Sequence, residues 1–193
     1  MKRTDTLPTL SFATQGDWEA WLAEHHTDTT GLWLKIAKRA TGAPSVTYAE
    51  ALESALCYGW IDGQKAAFDD AHWLQKFTPR RAKSGWSRVN REKATALIAA
   101  GRMQPAGLRE VERAKADGRW EAAYDSQRAI TVPADLQSAL DAQPDARAFF
   151  ATLDSHNRYA VLYRIQTAKK PETRAARIQK FVEMLAQGQK IYP

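Results

Sequence analysis

The chain has 193 residues, 44% of them hydrophobic and 10% aromatic, which suits one large globular domain or a core with a small helical extension. Lys and Arg outnumber Asp and Glu by 28 to 22, a formal charge of +6 that attracts anions weakly without singling out nucleic acid. No apolar run reaches the roughly 20 residues of a membrane span, MKRTDTLPTLSF lacks the apolar core of a signal peptide, and one cysteine excludes an internal disulfide; the expected location is the cytoplasm.

Taken in order, Leu7 to Phe12 reads as a short edge strand or an anchored arm. Thr14 has the position of an N-cap, with Asp17 three residues on and Trp18, Trp21, Leu22 and His25 at helical spacing. In LWLKIAK the alternation of Leu32, Leu34 and Ile36 with Trp33 and Lys35 predicts a strand. Thr47-Tyr48-Ala49-Glu50 is a capping box that opens a helix, and Gly59 suits its left-handed end. Gln64–Phe68 and His72–Thr78 predict two strands joined by Asp69-Asp70-Ala71, too short a connection for a parallel crossover. Beyond Asn90 the pattern is helical. Pro105, Pro133, Pro144 and Pro171 stand at helix starts, Ser155 at a cap, and Gly101, Gly118 and Gly188 at helix ends. The predicted fold class is α+β: a small antiparallel sheet with covering helices, followed by a helical C-terminal portion. The expected domains are an α+β core over 1–125 and a helical region over 126–193 packed on it.

Chemistry concentrates between Leu56 and Asn90, a stretch holding three of the seven tryptophans and the only cysteine. Between Arg80 and Lys93 stand six basic residues and one acid. Ser84 occupies an N-cap position, where free N–H groups and a partial positive charge welcome an anion. Arg80 or Arg81 would add a planar clamp for phosphate or carboxylate, and Trp86 an aromatic face. Trp60 and Asp62 follow a preceding helix end, where Asp62 would pair with an arginine or act as a base, or simply form an Asp-Gly turn beside a core Trp60. The candidate ligand-binding set is therefore Trp60, Asp62, Arg80, Arg81, Lys83, Ser84, Trp86, Ser87 and Asn90. A second basic block, Lys169, Lys170, Arg174, Arg177 and Lys180, reads as a solvated helix face or an extension of the anion-attracting surface. Cys57 near His72 raises a Cys-His nucleophile, weighed against a buried thiol acting as a small hydrophobe. No metal-ligand spacing, P-loop, dinucleotide fingerprint or nucleophile elbow is present, so no catalytic residue, metal or cofactor is assigned.

Three blocks in fixed order, GLWLKIAKRATGAPSVTYAEALESALCYGWIDGQ, FTPRRAKSGWSRVN and AKKPETRAARIQKFVEMLAQG, carry a resemblance that runs from Trp18 to Gly188. The chain resembles the YdeI/OmpD-associated (OmdA) family, also labelled bacteriocin-protection proteins. That resemblance implies protection against bacteriocins and cationic antimicrobial peptides and an outer-membrane association; it implies no catalytic residues. The leading expectation is a soluble, non-enzymatic stress or resistance accessory protein binding an anionic small molecule or nucleic acid at the Arg80–Asn90 turn. A small enzyme using Asp62, Cys57 or His72 in the same cleft, and a protein-protein interaction module with an unknown partner, stay open as alternatives.

Overall fold

Residues 7–193 are described by the computed structural model. The expectation of a non-secretory N-terminus rests partly on the first six residues and to that extent lies outside them. The chain divides into two units, Met1–Gly85 with Asn90–Glu121, and Trp86–Val89 with Ala122–Pro193.

In the first unit the alternation of LWLKIA becomes strand β2 (Leu32–Ala37), with Leu32, Leu34 and Ile36 buried. β1 (Thr9–Leu10) runs parallel beside it, while β4 (His72–Pro79) pairs with β2 antiparallel and β3 (Trp60–Ala67) pairs with β4 antiparallel. The order is β1-β2-β4-β3, so the sheet is mixed where the sequence predicted an antiparallel one. The helix α1 (Gln15–His25) between β1 and β2 supplies the crossover that a parallel pair needs.

Strand β3 starts four residues before its predicted start, absorbing Asp62-Gly63, which had read as a turn. A bulge between Asp62 and Lys65 accommodates them. The fully buried Gln75 of β4 donates its amide to the carbonyls of Gly63 (2.9 Å) and Gln64 (3.3 Å), which would otherwise lack ladder partners.

α1 and α2 (Tyr48–Cys57) begin with the capping boxes Thr14/Asp17 and Thr47/Glu50. They cover one face of the sheet. Trp18 is buried between them and the strands, its ring 5.8 Å from Phe77 and 6.2 Å from Trp60, and its indole N–H reaches the carbonyl of Ala51 at 3.1 Å. α3 (Arg88–Ala99) and α4 (Pro105–Ala116) follow, and Gly107 lets α4 approach the last carbonyls of α2.

The second unit is helical: α5 (Ala134–Asp141), α6 (Pro144–Thr152), α7 (Ser155–Gln166) and α8 (Pro171–Ala186). Leu136, Leu140, Phe150, Leu162, Phe181 and Leu185 meet in its core. Pro133 is the N-cap of α5 rather than its first residue, and Asp154, not Ser155, caps α7 by accepting the N–H of Asn157 at 2.8 Å. Among the described residues no helix is long and apolar enough to cross a membrane.

Candidate functional site

The basic turn of the first unit is built from behind by two buried arginines. Pro79 ends β4, and the backbone N–H of Arg80 continues the pairing by bonding the carbonyl of Gly59 at 3.0 Å. The Arg80 side chain turns inward, is 7% exposed, and donates through Nη1 to the Gly85 carbonyl at 3.2 Å. Arg119, also buried, reaches the neighbouring Ser84 carbonyl at 2.6 Å while Asp117 accepts from its Nε at 2.7 and 2.8 Å. Within the turn, Ser84 Oγ accepts the Arg81 N–H at 3.1 Å and the Ser84 N–H bonds the Arg81 carbonyl at 2.9 Å. The tip carrying Arg81, Ala82 and Lys83 is exposed. Burying a guanidinium is costly unless hydrogen bonds compensate it, so two such groups on adjacent carbonyls hold the tip in one shape.

This geometry alters the roles given to several residues. Ser84 caps no helix, because α3 starts only at Arg88 and Ser87 forms a bridge with Tyr124 first. Arg80 is a structural member, not an exposed clamp. Trp60 is core, lying across from Pro79 with its indole N–H on the His26 carbonyl at 3.1 Å. Asn90 is buried on α3. Trp86 and Ser87 belong to the second unit, where the backbones of Trp86 and Arg88 bond to Tyr124 at 3.0 and 2.9 Å. Of the nine candidates, Arg81, Lys83 and Ser84 share the turn, with Arg80 behind them.

Asp62 accepts a 2.8 Å hydrogen bond from the Tyr48 hydroxyl. Burial, and then the charge and hydrogen bond of Asp62, push the Tyr48 phenol well above its usual value. The bulge matters here. With regular alternation Asp62 and Lys65 would face opposite sides, but their partners Phe77 and Gln75 share a face, so both point toward α2. Lys65 Nζ consequently lies 5.3 Å from the Tyr48 ring centre and 5.1 Å from that of Trp73. Sequence reasoning passed over Tyr48, Lys65 and Trp73; a glycine inside a strand pattern, Gly63, was the available sign of a bulge.

Cys57 and His72 are not assembled. Cys57 closes α2 next to the start of β3, whose Trp60 pairs with Pro79, while His72 stands at the other end of β4, roughly 20 Å away at ~3.3 Å per residue. Burial pushes the Cys57 thiol up to about 11, Arg102 opposing the shift and Glu19 and Glu53 adding to it. His72 Nδ1 is engaged by Asp69 at 3.0 Å within the hairpin turn. Among the described residues no group of three or more His, Cys, Asp or Glu is placed to hold a metal ion.

In the second basic block two of the five cations, Arg174 and Arg177, are occupied. Arg174 meets both oxygens of Asp135 (2.6 and 2.9 Å) and the Ile165 carbonyl (3.0 Å), and Arg177 donates to the Arg164 carbonyl. These two arginines fasten α8 to α5 and α7 instead of forming a solvated face.

Residues 10–110 match the family model described as Domain of unknown function (DUF8412). Residues 129–188 match a second, described as OmdA: Bacteriocin-protection, YdeI or OmpD-Associated. Of the three blocks that carry the resemblance, the last therefore falls in the OmdA match and the first two in the other. No curated protein and no solved structure matches the chain.

Proposed function

As the chain belongs to the family described as a domain of unknown function (DUF8412) and carries an OmdA segment after it, we propose that it is a non-catalytic bacteriocin-protection or stress accessory protein that binds an anionic ligand at the Arg81–Ser84 turn. In this reading the protein is soluble and cytoplasmic, residues 1–125 act as the binding core, and residues 126–193 form a helical region that follows it. One observation carries the proposal: two buried arginines fix the carbonyls of Ser84 and Gly85, so that Arg81 and Lys83 are presented on a shaped tip rather than on a loose surface. Cations held this way lose little conformational freedom when they meet a phosphate or carboxylate.

The test is the salt dependence of binding to a fluorescently labelled single-stranded oligonucleotide, followed by anisotropy. Removing both cations in Arg81→Ala/Lys83→Ala is expected to weaken binding and to lower the slope of log K against log salt by about 1.4, at ~0.7 per phosphate. Stability should change by no more than about 0.5 kcal/mol, since both side chains are exposed. Arg80→Ala serves as the contrast and should cost on the order of 2 kcal/mol of stability through its lost charge-assisted bond. Equal binding by the double variant and the parent, or no oligonucleotide binding at low salt, overturns the reading.

A further inference from the structure

A second place in the first unit has the form of a binding site and lies apart from the basic turn. A cavity of about 430 Å³ opens between the end of β2, the loop after it and the start of α2. That volume falls in the lower part of the ~300–1,000 Å³ range of small-molecule pockets. Ile36 and Val46, both buried core residues, give it an apolar floor, and the rings of Tyr48 and Trp73 form a wall, their centres 6.1 Å apart.

The wall is set before any ligand arrives. Tyr48 is anchored by its hydroxyl on Asp62, and Lys65 sits over both rings; neither Asp62 nor Lys65 lines the cavity. Aromatic faces held from outside keep their contact area at low entropic cost to a ligand. The rim is basic. Lys38 donates to the Asp69 carbonyl at 3.0 Å, which fixes its charge at the mouth. Arg39 is exposed and has no hydrogen-bond or ion-pair partner among the described residues. The nearby carboxylates are engaged elsewhere: Glu50 accepts from the Thr47 N–H and hydroxyl at 2.8 Å each, and Asp62 from Tyr48. Because that capping box already closes the start of α2, recognition of an anion falls to Arg39 and Lys38.

We propose that this cavity binds a small planar aromatic acid, its ring against Tyr48 and Trp73 and its carboxylate or phosphate on the Arg39 guanidinium. An apolar floor with an aromatic wall selects the flat body, and the planar fork of Arg39 selects the anionic group.

Isothermal titration with three naphthalene probes tests it: 2-naphthoate, 2-naphthyl phosphate and the neutral 2-naphthalenemethanol. In the parent protein at least one acid binds at least about tenfold more tightly than the alcohol, and the better of the two identifies the anionic group. Arg39→Gln reduces that preference severalfold, to what Lys38 alone sustains, while leaving the alcohol unchanged. Trp73→Leu weakens all three probes. Since Arg39 is exposed, its variant keeps the test decisive even where Trp73→Leu perturbs folding. Equal affinity of acids and alcohol in the parent, unchanged acid binding in Arg39→Gln, or no binding of any probe overturns the proposal.

Discussion

Substituting alanine for Gly107 tests the packing that places the candidate site. In the middle of an exposed helix, Gly→Ala stabilises by about 0.5–1 kcal/mol because the unfolded chain loses freedom. Gly107, however, is buried in α4 where it crosses the end of α2. A Cβ there would stand against the Cys57 carbonyl oxygen, 2.7 Å from the Leu56 carbonyl oxygen and 2.8 Å from the Cys57 carbonyl carbon. Carbon–oxygen contacts settle at about 3.3–3.6 Å, so the two helices must part by roughly half an ångström or more. Neither partner is a side chain that could swing aside. Separation would also strain the Gln104 N–H to Cys57 carbonyl bond of 3.1 Å that ties the start of α4 to α2. Overpacking of this kind costs about 1–3 kcal/mol, and the lost bond about 1 more. After the propensity gain, Gly107→Ala should destabilise the first unit by about 2–3 kcal/mol. The assay is urea unfolding followed by tryptophan emission, since six of the seven tryptophans lie in that unit. With a slope of about 2 kcal/mol/M, the midpoint falls by roughly 1 M. Gly16→Ala is the control, because near the start of α1 its Cβ meets only Thr14 Oγ1 at 3.7 Å, and it should stabilise slightly. A Gly107→Ala protein as stable as Gly16→Ala would refute the close crossing of α4 over α2.

Two further outcomes follow from titrating groups. Cys57, 3% exposed, should react slowly with iodoacetamide at neutral pH, the rate still climbing as pH approaches 11. Its folded value lies above an ordinary value of about 9, so the neutral thiol favours the fold; that stability is full below pH 9 and fades between about 9 and 11. Rapid alkylation at pH 7 would contradict the buried placement. In the second unit, the hydrogen bonds of Arg174 hold the Asp135 carboxyl below its usual range. The stability this adds is present above the unfolded value of about 4 and is lost as pH falls through the folded one. Arg174→Gln should therefore flatten the acid limb of the second unit's unfolding, monitored by amide NMR; an unchanged limb would remove the pair from that role.

Local chemistry in this chain is legible and distant chemistry is not. Thr14, Asp17, Thr47 and Glu50 act within one helical turn of themselves, and both capping boxes form as their spacing predicts. Gly59, Gly101, Gly118 and Gly188 all take positive φ at helix ends. The errors arise where a partner far along the chain decides. Asp62-Gly63 looks like a turn until Gln75, a dozen residues on, satisfies the bulge carbonyls and keeps the segment in the sheet. Ser84 looks like a cap until Arg119 takes its carbonyl and Tyr124 pairs with Ser87. Basic residues near one another suggest a solvated surface or an anion site, yet Arg80, Arg174 and Arg177 end on backbone carbonyls. Sequence spacing reveals that a charge exists, but whether it meets solvent or a carbonyl depends on the tertiary path.

The path of the chain through its two units bears on how the protein is made. It leaves the first unit after Gly85, contributes Trp86–Val89 to the second, and returns at Asn90 before departing again at Ala122. A ribosome therefore delivers the four-residue strap well before its pairing partner Tyr124 and its ion-pair partner Asp125, which meets Arg88 at 3.0 Å. At ~5–20 residues per second that delay is about 2–7 seconds. During it the Trp86 carbonyl waits for the Tyr124 N–H that it accepts at 3.0 Å in the finished protein. The first unit, meanwhile, cannot close until Glu121 has emerged. No single proteolytic cut releases either unit whole, so limited digestion between them yields fragments that each lack part of a unit or carry part of the other.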